Sequence, residues 1–181
     1  TETTHKLGEN IDQTIVTNRT NIIYDAYGRI YQFHETTQDS IRPNLLIETN
    51  RTQTIYNSLG QVSSFNEFGT DDQGNYFVRA RTNILYGSEG LILGFSETLQ
   101  ENGVLSYTYR SGMKYNSWGQ LISYDETKES GDEFISLRIW GISYNTYGQM
   151  ATRNTKSIDG NGSVNIIYSW DMKYDLEGRL I

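Results

Sequence analysis

The chain is constrained most by a seven-residue motif, Tyr115-Asn116-Ser117-Trp118-Gly119-Gln120-Leu121, variants of which return at near-constant intervals. Copies begin at Tyr24, Tyr56, Tyr86, Tyr115, Tyr144 and Tyr174, separated by 32, 30, 29, 29 and 30 residues. A period in this range belongs to repeat architectures, in which neighbouring units bury together what one unit cannot bury alone. The expectation is one repeat-array module over residues 1–181, about five units of roughly 30 residues, with both ends cutting through a longer array.

Five of the six copies read Tyr, then Asn or Asp, two variable residues, Gly, a polar residue and an aliphatic one; the copy at Tyr86 has Gly87 and Leu91 instead. Asn or Asp at the start and Gly at the end match a type I turn followed by a left-handed residue, a standard join between antiparallel strands. Gly28, Gly60, Gly90, Gly119, Gly148 and Gly178 are the expected positive-φ positions. If the turn is right, the motif Tyr faces the aliphatic residue six places on. The same count pairs Arg19 with Glu35, Arg51 with Glu67, Arg81 with Glu97 and Arg110 with Glu126. In the copy at Tyr144 both charges are absent together, with Ile139 and Thr155 in their places, as a true pair requires.

Strand periodicity then assigns faces. One face is expected to carry the motif Tyr, its aliphatic partner and the residue two before Tyr (Ile22, Thr54, Ile84, Met113, Ile142, Met172). The opposite face is expected to carry Phe33, Phe65, Phe95 or Tyr124 beside the charged pair, with Ile23, Ile55, Leu85 and Lys114. Further turn signals at Asp71–Asn75, Glu101–Gly103, Ser130–Asp132 and Asp159–Gly162 close the other ends of the hairpins. The fold class is therefore all-β: an antiparallel meander of about five repeated β-hairpins, eleven strands and a stub, in one extended, curled or superhelical sheet. A closed β-barrel is the alternative. Thr37 to Asn44, containing Pro43, is the longest expected connection and the place for a loop or edge irregularity.

Composition agrees and excludes. Tyr, Thr, Ile and Phe suit a pleated surface, and Pro43 is the single proline. A net charge of −7 removes the electrostatic basis for tracking nucleic acid, and no apolar run approaches the length of a membrane helix. The absence of cysteine removes disulfide and thiolate chemistry.

The copies Tyr24-Asp25-Ala26-Tyr27-Gly28-Arg29-Ile30 and Tyr174-Asp175-Leu176-Glu177-Gly178-Arg179-Leu180 resemble the Tyr-Asp repeat of bacterial Rhs proteins and the related teneurins. The whole chain is more similar to Tyr-Asn-x-x-Gly-Gln arrays of giant bacterial surface proteins described as haemagglutinin-like or adhesin-like. That resemblance implies hairpins laid side by side on an exported protein, at the cell surface or outside the cell, and no catalytic residue.

The expected function is a non-enzymatic structural or adhesive repeat segment. The alternatives are a carbohydrate-binding module using exposed Tyr and Trp, and a shell or spacer segment of an Rhs-type toxin protein. The tyrosine row is read first as stacked core. Trp140 and Trp170, each four before its Tyr, are either a sugar-stacking pair or, by preference, a cap on the core where the charged pair is lost. Asp159, Asn161 and Ser163 alternate like the start of a calcium loop, but Val164 stands where its glycine belongs and no Glu closes it. Each Glu of the four pairs has its own Arg, which favours its ionised form. His5 and His34 have no partner residues for metal or nucleophile chemistry. No cofactor or metal is expected; the partners expected are neighbouring repeats and a surface glycan or protein.

Overall fold

The computed structural model describes residues 2–8, 11–71 and 73–174, with side chains over 14–41, 46–71 and 73–174. Gly178 and its neighbours in the last motif copy lie outside the described residues, as does the side chain of His5. The strands are β1 (Glu2–Gly8), β2 (Ile11–Tyr24), β3 (Ile30–Asp39), β4 (Arg42–Tyr56), β5 (Val62–Thr70), β6 (Tyr76–Tyr86), β7 (Ile92–Glu101), β8 (Val104–Tyr115), β9 (Leu121–Ser130), β10 (Glu133–Tyr144), β11 (Met150–Asp159) and β12 (Val164–Ser169). Each lies beside its chain neighbour in the order β1 to β12, with β1 and β12 at the two ends. The fold is an antiparallel meander of hairpins, and the alternative of a closed barrel is not formed. By compactness the chain divides into two units, residues 1–82 with 98–105 and residues 83–97 with 106–181.

In the first unit Tyr24 stands opposite Ile30 and Arg19 opposite Glu35, and the next hairpin repeats this with Tyr56 opposite Val62 and Arg51 opposite Glu67. The second unit has Tyr115 opposite Leu121, Arg110 opposite Glu126, Tyr144 opposite Met150 and Ile139 opposite Thr155. The ladders between these pairs are not continuous. In β2–β3, Ile23 pairs with Gln32 rather than Tyr31, and the register recovers at Thr20 and His34. One strand carries an extra residue near the turn, and the other carries an extra residue three places further in. These compensating bulges recur in β4–β5, β8–β9 and β10–β11.

The inner bulge has its own left-handed residue, three before the motif Tyr. Asn21, Gln53, Asn83, Gly112, Gly141 and Asp171 all have φ between 51° and 63°. Asn and Asp tolerate this region, and Gly adopts it freely; Gln53 is the departure.

The bulges overturn the expected division of faces. A bulge shifts the pleat by one, so residues that simple alternation separates fall together. Phe33, Thr54, Tyr56, Arg51 and Glu67 line one hollow on a single face of the first unit. The buried residues include members of both sets that alternation had assigned to opposite faces: Phe33, Phe65 and Phe95 from one, Thr54, Ile84, Met113 and Ile142 from the other. We call this the first face. Ile23, Ile55 and Leu85 stay 49%, 57% and 62% exposed on the second.

A second correction concerns Pro43. The expected connection from Thr37 to Asn44 shrinks to a turn at Ser40 and Ile41, because β3 continues to Asp39 and β4 starts at Arg42. The irregularity lies inside β4: Asp39 pairs with Arg42 but Gln38 with Leu46, leaving Pro43, Asn44 and Leu45 out of register. Proline there forfeits no ladder hydrogen bond.

Candidate functional site

Four of the motif turns are each held by one side chain. In the copy at Tyr115, the Asn116 N–H donates to Gln120 O at 2.9 Å and Gly119 N–H to Asn116 O at 3.0 Å. Asn116 Oδ1 also accepts from the N–H of Trp118 and of Gln120, at 3.0 and 2.9 Å. Asp25, Asn57 and Asn145 do the same, while Gly87 has no side chain to do it with. The paired change from Asp with Arg to Asn with Gln has a direct cause. Arg29 Nε donates to Asp25 Oδ2 at 2.7 Å, whereas Asn116 Nδ2 donates to Gln120 Oε1 at 2.8 Å. A carboxylate needs a donor across the turn, and an amide donor needs an acceptor.

Asp71 and Asp159 build the same turn at the other rim, so the acidic loop at Asp159, Asn161 and Ser163 is a backbone clasp: Asp159 Oδ1 accepts from the N–H of Asn161 and of Ser163, both at 2.9 Å. The Ser163 N–H is the main reason the Asp159 carboxyl sits below its ordinary value. At Asp25 desolvation pushes the carboxyl upward, but the N–H groups of Arg29 and Tyr27 and the Arg29 guanidinium outweigh it and leave the group lowered.

The motif tyrosines tie one hairpin to the one before. Tyr56 Oη donates to Ile30 O at 2.6 Å, Tyr115 to Ile92 O at 2.6 Å, Tyr144 to Leu121 O at 2.7 Å and Tyr174 to Met150 O at 2.8 Å. The ring packs beside the core while the hydroxyl satisfies the carbonyl of the aliphatic residue in the preceding copy. Burial pushes the phenols of Tyr115 and Tyr144 upward, opposed at Tyr115 by Arg110. Tyr24 is 57% exposed and lacks this setting.

Along the first face, arginines alternate with aromatic rings. Arg51 lies 4.0 Å from the Phe65 centroid and 5.3 Å from that of Phe33, and its Nε donates to Glu67 Oε1 at 2.8 Å. Glu67, 6% exposed, accepts from Arg79 Nη1 as well, at 3.3 Å. Arg19 pairs with Glu35 and stacks over Phe33, and Arg110 pairs with Glu126 between Phe95 and Tyr124. The two residues of the fourth expected pair, Arg81 and Glu97, fall in different units. Where the charges are lost, Ile139 stands between Tyr124 and Thr155. The cation–π ladder has a sequence signal, an aromatic two places before each Glu, on the face expected to carry the charged pairs.

The second face of the later unit is more varied. Ser111, Asp125, Arg138 and Lys156 form one cross-strand row, and Tyr109, Thr127, Ser136 and Ile158 the next. Together they line a hollow of about 330 Å3. Arg138 Nε donates to Asp125 Oδ1 at 2.7 Å, and that bond raises the guanidinium's pKa further. Tyr109 also lines a neighbouring hollow of about 460 Å3 with Leu85 and Leu93. Trp140 is half-buried opposite Asn154, which pairs on its other side with Tyr168; Trp170, 70% exposed, lies two residues beyond Tyr168. The two tryptophans are thus not direct cross-strand neighbours. His34 Nδ1 lies 2.9 Å from Asn50 Oδ1, and among the described residues no cluster of His, Asp and Glu could hold a metal ion.

Comparison with family models, with curated proteins and with solved structures finds no match to this chain.

Proposed function

We propose that the chain is a non-enzymatic structural and adhesive repeat segment of a large bacterial protein, acting at the cell surface or outside the cell. The observation that carries this reading is the tyrosine tie: four motif tyrosines donate to the backbone of the preceding hairpin at 2.6 to 2.8 Å, so each copy is built to fasten the next. Side-chain effort in the repeat goes into turn, register and fastening rather than into a reactive group. Such an array transmits force or distance along its length while leaving one face free to vary. The resemblance to Tyr-Asp and Tyr-Asn-x-x-Gly-Gln arrays supports the same reading.

Single-molecule pulling from the two termini tests it. Hairpins that stack in series extend stepwise, each releasing roughly 30 residues, about 100 Å of chain. One rupture of the whole chain in a single step would refute serial stacking.

A further inference from the structure

On the first face Arg19, Arg51, Arg79 and Arg110 each lie against a glutamate or an aromatic ring. The second face of the later unit breaks this economy. Arg138 stands directly opposite Lys156, two cations across one strand pair, with Asp125 as the single carboxylate in their row. Like charges so placed repel. Asp125 engages Arg138 through Nε at 2.7 Å and, weakly, Nη2 at 3.5 Å, and Arg138 and Lys156 both line the hollow. Glu126 also borders the hollow but is engaged by Arg110, so in a chain of net charge −7 the row of Arg138 and Lys156 against Asp125 is a local positive site that favours an anion.

The hollow's other walls specify what kind of anion. Tyr109, 53% exposed, offers a ring face, and Ser111, Thr127 and Ser136 supply hydroxyls that donate or accept. Its volume of about 330 Å3 suits one ring-sized group, and the adjoining hollow shared through Tyr109 extends it for a second. Strands β8 to β11 each lie between two neighbours, so no free backbone edge is offered for a peptide to extend the sheet. Recognition there falls to side chains.

We propose that this hollow is a subsite for a carboxylated sugar, with Arg138 and Lys156 receiving the carboxylate, Tyr109 stacking on the ring, and Asp125 with the three hydroxyls meeting sugar hydroxyls. The subsite gives the adhesive reading a ligand class but is tested apart from it: pulling reads how hairpins stack, and binding reads this hollow alone.

Isothermal titration of the full chain with hexagalacturonate, and with an oligosaccharide containing glucuronate, is the measurement. At least one should bind saturably, with affinity falling ten-fold or more in Tyr109→Ala and in Arg138→Gln and several-fold in Lys156→Gln. The methyl-esterified form of the bound sugar should lose binding to a similar degree. Lys128→Gln removes the same charge from the opposite face and should change nothing. Circular dichroism checks folding of each variant, and the Arg138 and Lys156 variants keep the test alive should Tyr109→Ala not fold. No saturable binding of either sugar would overturn the proposal. So would unchanged affinity in the folded variants, or equal binding of hexa-aspartate, which would mark a site for plain negative charge or an acidic peptide.

Discussion

Hairpins β4–β5 and β10–β11 share one backbone plan and differ in what fills its middle. Both have a motif Tyr opposite an aliphatic residue, the same pair of compensating bulges, and an Asn and Gln clasp across the turn. In β4–β5 the middle holds Arg51 opposite Glu67, with Glu67 buried between two arginines. In β10–β11 the same places hold Ile139 and Thr155. The register survives the exchange, so turn and bulge set it, and the ion pair occupies a place that the backbone already defines. An ionic and an apolar filling are two ways to complete one frame, but they fail differently.

The sharpest way to break the comparison is to remove one member of each pair. Glu67→Ala strands Arg51 and Arg79 on a mostly buried face, and should cost about 3 kcal/mol in urea unfolding. Thr155→Ala removes a half-buried side chain and should cost less than about 1 kcal/mol. Equal losses would mean that the charged ladder carries no more stability than its apolar replacement.

What the two hairpins share should respond alike. Tyr144→Phe removes the hydroxyl that donates to Leu121 O, and Tyr56→Phe the one that donates to Ile30 O. Each leaves a carbonyl without its donor and should cost about 1 to 1.5 kcal/mol. Tyr24→Phe, at an exposed phenol, is the control and should change stability little. A large loss there would show that the ring's surroundings rather than the tie matter.

Gly148→Ala and Gly60→Ala come next. At neither position would an added methyl group touch a nearby backbone; the nearest approach is Gln120 Nε2, 3.9 Å from Gly148. The cost is therefore conformational, from φ of 76° and 78°, and should be about 1 kcal/mol in both hairpins. Thermal melts showing no shift in either would contradict the left-handed turn.

How much of this was legible follows from which interactions repeat in sequence. The turns and the opposition of Arg51 to Glu67 could be counted out because Tyr, Asn and Gly recur at fixed offsets, and counting through two cancelling bulges gives the right partner. Faces could not, since alternation is broken between those bulges. The signal was present at Asn21, Asn83, Gly112, Gly141 and Asp171, residue types suited to left-handed backbone, but Gln53 interrupts it. The tyrosine ties escape because their acceptors are carbonyls, which leave no trace in residue identity. The hollow at Tyr109, Asp125, Arg138 and Lys156 escapes for the opposite reason: its residues come from four strands and repeat nowhere.

The smallest effect separates the amide turns of both hairpins from the carboxylate turn at Asp25. Asp25 has a carboxyl lowered by its turn donors despite desolvation, so its folded form binds a proton less readily than the unfolded chain. The stability this adds is present above pH about 4, the ordinary Asp range, and is lost as pH falls through the lower folded value. Asn57 and Asn145 make the same backbone contacts without titrating. Amide chemical shifts of Tyr27 and Arg29 should therefore move on acidification below pH 4, while those of Leu59, Gln61, Tyr147 and Gln149 stay in place. Asp25→Asn should abolish the movement at the first turn and, lacking Arg29's partner charge, weaken that turn slightly at neutral pH. Movement at all three turns would locate acid sensitivity in the ladder of arginines and glutamates, and the two fillings, rather than the turns, would then decide how the array responds to pH.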